Sequence, residues 1–98
     1  MLKQFAFYCD CDKINGNIIV RNRKQGDKIS PAKRNCTKTL KKLFNELKIP
    51  IEDRNSVLVI CDDNGVIGVY GYCVDERVRL DNDTENVLLI NILLEEKN

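Results

Sequence analysis

The chain has 98 residues, 43% hydrophobic and 32% charged, with a formal net charge of +1. This length allows one domain with a single modest core, and the balance of apolar and charged residues argues against disorder. No run of about 18 apolar residues could cross a membrane, and the amino terminus lacks a signal-peptide pattern, so a cytoplasmic protein is expected.

Leu2 to Asp10 mixes aromatic and small apolar residues in partial alternation and reads as a first strand. Asn15-Gly16 marks a turn, and Asn17 to Arg23 reads as a second strand that delivers Arg21 and Arg23 on one face. Gly26-Asp27 is a bend, with Asp27 expected to stabilise the turn through backbone N–H groups. Ser30-Pro31 continues an irregular connection that exposes Lys28, Lys33 and Arg34.

Leu40, Leu43, Phe44 and Leu47 then stand at i, i+3, i+4 and i+7, the apolar stripe of an amphipathic helix. Thr37 can cap it and Pro50 cannot continue it, which places the helix at about residues 37–48. Lys38, Lys41 and Lys42 fall on the opposite arc with Asn45 and Glu46. Beyond a short turn at Ile51 to Asn55, Val57 to Cys61 is a buried strand. Asp62-Asp63-Asn64-Gly65 turns it back into Val66 to Tyr70. Gly68 and Gly71 suggest a bulge or a close backbone approach. Tyr72 to Leu80 resumes as a strand with Arg77 and Arg79 on one face, and Asp81 to Asn86 is a polar loop. Val87 to Leu94 fits a buried helix or a strand, with its length and Val/Ile content favouring the strand. The expected fold is mainly β (α+β), a small β-sandwich-like domain of five or six strands with one helix covering a sheet face.

Five cysteines without a CxxC pair, and no histidine, make a zinc site improbable. Cys61 and Cys73 read as small buried hydrophobes. Cys9 and Cys11 would share one face of the first strand and are taken as structural. Without a histidine base, a GxxxxGK[ST] loop or a GxSxG elbow, chemistry by this chain alone is not expected. Asp62-Asp63 and Asp75-Glu76 read as solvated surface charge. The small net charge hides a division: residues 20–48 hold ten basic and two acidic side chains, a local charge of +8 that leaves −7 elsewhere. Such asymmetry suggests a polyanionic partner, against the plainer reading that lysines keep a helix soluble.

The ordered set Arg21-x-Arg23-x-x-Gly26-Asp27-Lys28-Ile29, Lys41-Lys42-Leu43-Phe44 ending in Lys48-Ile49-Pro50, then Arg54, Gly71 and Val74-Asp75-x-Arg77 resembles the carboxy-terminal domain of bacterial tRNA(Ile)-lysidine synthase. The resemblance runs from about Phe7 to about Leu94. It implies an enzyme that uses ATP to activate the wobble cytidine of an isoleucine tRNA, after which lysine's side-chain amine displaces the adenylate. The family's SGGxDS pyrophosphate-binding motif is not in this sequence, so ATP would belong to a separate catalytic domain and no cofactor to this segment. By resemblance the chain recognises tRNA(Ile), at the acceptor-stem end. Arg21, Arg23, Lys28, Lys33, Arg34, Lys38, Lys41 and Lys42 are the expected phosphate contacts, on chemistry suited to A-form RNA. The alternative is a structural domain that packs on the catalytic domain or forms a homodimer through a sheet edge.

Overall fold

A computed structural model of the chain describes residues 6–93. Eight short strands and one α-helix are present among them: β1 Ala6–Asp10, β2 Ile19–Arg21, β3 Lys28–Ile29, β4 Lys38–Thr39, α1 Leu40–Glu46, β5 Val59–Asp62, β6 Gly65–Val69, β7 Cys73–Val74 and β8 Val87–Asn91. The mainly β architecture with one helix agrees with the expectation. The added strands come from the Gly26 to Lys38 connection, which folds on itself as the small β3–β4 ribbon.

The centre is an antiparallel sheet in the order β2-β5-β6-β7, whose middle strands β5 and β6 are buried on both faces. That explains why Val57 to Cys61 reads as continuously apolar rather than alternating. Val59, Cys61, Val66 and Val69 face α1, where they pack with Ile29, Leu40, Leu43, Phe44 and Ile49. Ile60 and Ile67 face the opposite way, into a second cluster with Phe7, Cys9, Tyr70 and Val78. The ribbon of β1 and β8, paired antiparallel with Tyr8 opposite Leu89, covers this second face. A sandwich results, with α1 on one side of the sheet and the ribbon on the other. The β8 segment is a strand, with Leu88 and Ile90 turned inward and Val87 and Leu89 outward. Leu2 to Phe5 and Leu94, included in the sequence-based strands, lie outside the described residues.

Gly68 is the close approach that its sequence suggested, beside a register shift between Ile60 and Cys61. A Cβ there would stand 2.2 Å from the Phe7 ring, so only a glycine lets β1 settle on β6.

Three local expectations are corrected. The helix is shorter than residues 37–48: it spans Leu40–Glu46 and is capped by Thr39, whose Oγ1 accepts from the Lys42 N–H at 3.1 Å. Lys48 adopts a left-handed φ of 55°. The Lys48 N–H then donates to Asn45 O and the Ile49 N–H to Phe44 O, both at 3.1 Å, the double bond pattern of a Schellman ending. As a result Leu47 is 39% exposed, and Ile49 fills the core position beyond the helix. Secondly, Tyr72 to Leu80 is not one strand. The Asp75 carboxylate accepts from the Arg77 N–H and starts a 3-10 turn at Glu76–Val78, so Arg77 and Arg79 do not share a strand face. Thirdly, β1 ends at Asp10, whose carboxylate caps a turn at Cys11–Lys13, so Cys9 is buried while Cys11 is exposed. Burial pushes the Cys9 thiol up to about 11.

Candidate nucleic-acid interface

The basic segment is organised by Asp27. Its two carboxylate oxygens accept from both terminal nitrogens of Arg21, at 2.8 and 3.0 Å, and one also accepts from the Lys24 N–H at 2.7 Å. The Arg21 guanidinium and this backbone bond hold the Asp27 carboxyl below its usual range. The turn-stabilising role expected for Asp27 is therefore present, and Arg21 is the side chain it holds. The Asp27 carbonyl in turn accepts from the Leu40 N–H at 2.9 Å, which fastens the turn to the start of α1.

This fastening brings together Arg23 and Lys24, from the turn, and Lys41, from the first turn of α1, around a cleft of about 530 Å³. The Arg23 guanidinium lies 5.4 Å from the centroid of the buried Phe44 ring, a cation–π contact that anchors it to the core. Among the described residues Arg23, Lys24 and Lys41 make no ion pair with a carboxylate. A second cleft of about 620 Å³ adjoins the first across Gly26 and Asp27 and carries Lys28 with Arg21 and Arg77. Asp75 and Glu76 also line it, so its charge is mixed.

The other residues singled out from sequence lie elsewhere. Lys38 precedes the helix on β4, and its ammonium meets the Glu46 carboxylate at 2.5 Å with only 8% of the side chain exposed. Arg34 and Lys42 contribute positive field at that same Glu46, whose pKa is lowered chiefly by Lys38. Lys33 adopts a left-handed φ of 64° and donates its N–H to Glu76 at 3.1 Å. The expected set is thus divided into a group at the clefts (Arg21, Arg23, Lys28, Lys41) and a group around Glu46 and Glu76 (Lys33, Arg34, Lys38, Lys42).

Sequence reasoning passed over Lys24, which carried charge in the count but had no spacing to mark it. Its signal was local: Asp27 three residues on closes a turn around it. The pairing of Arg77 with Asp62 was also missed. Asp62, expected on the surface, has a fully buried carboxylate that accepts from both Arg77 terminal nitrogens at 2.9 Å and from the Asn15 and Asn64 N–H groups. Asp75, likewise expected in solvent, is buried and accepts from the Ser30 and Arg77 N–H groups.

Residues 18–91 match the model of a family described as the TilS substrate C-terminal domain. The chain is 40% identical over 94 residues to a tRNA(Ile)-lysidine synthase of Clostridium tetani, covering 96% of this chain and 20% of that protein. It is 43% identical over 82 residues to the tRNA(Ile)-lysidine synthase of Clostridioides difficile, covering 84% of this chain and 17% of that protein. It therefore spans about a fifth of the length of these curated relatives. Among solved structures it superposes with a TM-score of 0.76 on a crystal structure of a TILS C-terminal domain, at 25% identity, over 94% of this chain and 72% of the other. The fold also matches an N-terminal fragment of the phenylalanyl-tRNA synthetase β-subunit from Pyrococcus horikoshii, with a TM-score of 0.74 at 22% identity over 92% of this chain and 28% of that one. With the family model spanning both basic clefts and the whole central sheet, the chain belongs to the TilS substrate C-terminal domain family, the carboxy-terminal region of tRNA(Ile)-lysidine synthases.

Proposed function

We propose that this chain is the tRNA-recognition domain of a tRNA(Ile)-lysidine synthase, gripping the acceptor-stem end of tRNA(Ile) while a separate catalytic domain uses ATP to attach lysine to the wobble cytidine. The segment itself would need no cofactor. The observation that carries this reading is the group Arg23, Lys24, Lys28 and Lys41, gathered at two adjoining clefts without carboxylate partners. Unpaired cations on a rigid frame suit the phosphates and 2′-hydroxyls by which proteins recognise A-form RNA. Lys33, Arg34 and Lys42 would extend the surface, whereas Arg21 and Lys38, each held by a carboxylate, would position it. Titrating the chain with an acceptor-stem minihelix of an isoleucine tRNA at two salt concentrations tests this. Binding that weakens steeply with salt supports it, and no binding at low salt refutes it.

A second reading rests on the outer face of the β1–β8 ribbon, where Tyr8 and Leu89, direct cross-strand neighbours, are each about half exposed beside Val87. Such a face favours packing against protein, either the catalytic domain or a second copy of the chain. Sedimentation analysis distinguishes a dimer from a monomer.

A further inference from the structure

We propose that the cleft between the Lys24–Asp27 turn and the start of α1 takes a single unpaired nucleotide of an RNA lying on the basic surface. The proposal rests on the tRNA-binding reading and goes beyond it, since phosphate contacts alone need no cavity.

At about 530 Å³ the cleft falls within the range of roughly 300–1,000 Å³ typical of pockets that enclose small organic ligands. The chemistry of its wall points the same way. Gln25 and Asn55 contribute carboxamides that make no hydrogen bond to any other described residue. Each offers a donor pair and an acceptor, the combination that reads a base edge, whereas phosphate oxygens call for donors only. Asp27 is the carboxylate in that wall, and its charge is already met by Arg21 and by the Lys24 N–H, so it does not exclude an anion.

Arg23 stands at the same wall. Its guanidinium carbon lies over the Phe44 ring, 5.4 Å from the centroid, so a cation tethered to the core stands where a base would stack. Arginine planes and aromatic rings are the platforms on which unstacked RNA bases are received. A base inside an A-form duplex has both faces stacked and its Watson–Crick edge paired, so the ligand that can use the cavity, the carboxamides and Arg23 together is an unpaired nucleotide. Lys24 and Lys41, on the same cleft, would meet its flanking phosphates.

The test compares the Kd of the chain for a blunt RNA duplex, the same duplex with a short single-stranded 3′ overhang, and the same duplex with a one-nucleotide bulge. The overhang and bulge probes separate an end nucleotide from an internal one. We expect at least one of them to bind about tenfold more tightly than the blunt duplex, the scale of one base stack. The double substitution Gln25→Ala and Asn55→Ala removes the groups that read the base edge and should reduce that preference without changing the affinity for the blunt duplex. Equal affinity of the unsubstituted chain for all probes overturns the nucleotide pocket but leaves the phosphate-binding surface standing. Retention of the full preference by the double variant also overturns it. Failure to bind any probe at low salt overturns the tRNA-binding reading and this proposal together.

Discussion

Arg77 and Asp62 form a two-pronged ion pair across the domain, both contacts 2.9 Å, in which the carboxylate is wholly buried and the Arg77 side chain is 34% exposed. With the Asn15 and Asn64 N–H groups also donating to it, Asp62 ties the loop before β2, the β5–β6 hairpin and the 3-10 turn after β7 to one point. Arg77 first, and those N–H groups after it, lower the Asp62 pKa from 3.8 to about 2. A carboxyl whose folded-state pKa is depressed contributes stability that is complete above its unfolded value and is lost as pH falls through the folded one. We therefore predict that stability declines between about pH 4 and pH 2, with this group responsible for about 2 kcal/mol. Arg77→Met should cost about 2 kcal/mol at pH 7, less than for a fully buried pair because solvent reaches the guanidinium. The cost should shrink toward zero by pH 2. Urea denaturation at both pH values checks this, and a cost independent of pH would show that Arg77 acts through packing alone.

Lys48 occupies the left-handed position that ends α1, where a side chain is strained and glycine is not. Lys48→Gly should stabilise the domain by about 0.5–1 kcal/mol, the relief of that strain less the added freedom of the unfolded chain. For a domain of this size this raises Tm by several degrees, roughly 3–6 °C. A lower Tm would mean that the Lys48 side chain contributes something its exposed position does not reveal.

Gly68 and Phe7 share one space. Gly68→Ala should cost about 1–3 kcal/mol because its Cβ overlaps the Phe7 ring, with Cys73 O a further 3.1 Å contact. Shortening the ring in the double variant Gly68→Ala, Phe7→Leu should recover part of the loss. A double-mutant cycle measures the coupling, expected near 1 kcal/mol, and strictly additive effects would contradict the packing.

These positions show what the sequence could and could not convey. The apolar period of Leu40, Leu43 and Phe44 and the paired runs on either side of Asp62 to Gly65 identified the helix and the central hairpin, because their signals are local. The helix end was misplaced because Leu47 continues the period while Lys48, not a glycine, turns the chain. Asp62 and Asp75 could not be recognised as buried, since their partners Arg77 and Ser30 are 15 and 45 residues away and a buried carboxylate is written like an exposed one. The basic segment was legible as charge but not as geometry. Nothing in the spacing of Lys38 and Glu46 distinguishes a lysine held by a carboxylate from Lys41, which is free of one. The ordered motif, by contrast, pointed to the family before any fold was known, and the family model matches residues 18–91.

The central claim is that the cations at the two clefts bind tRNA phosphates, and the salt dependence of binding tests it most directly. Lys24, Lys28 and Lys41 are exposed and free of ion pairs among the described residues, so replacing all three with Gln should hardly move Tm. The affinity for an isoleucine tRNA should fall, and the slope of log K against log salt should lose about 2–3 in magnitude, at roughly 0.7–0.9 for each phosphate contact removed. A triple variant with the affinity and salt slope of the unsubstituted chain would leave the basic surface as nothing more than solvated charge.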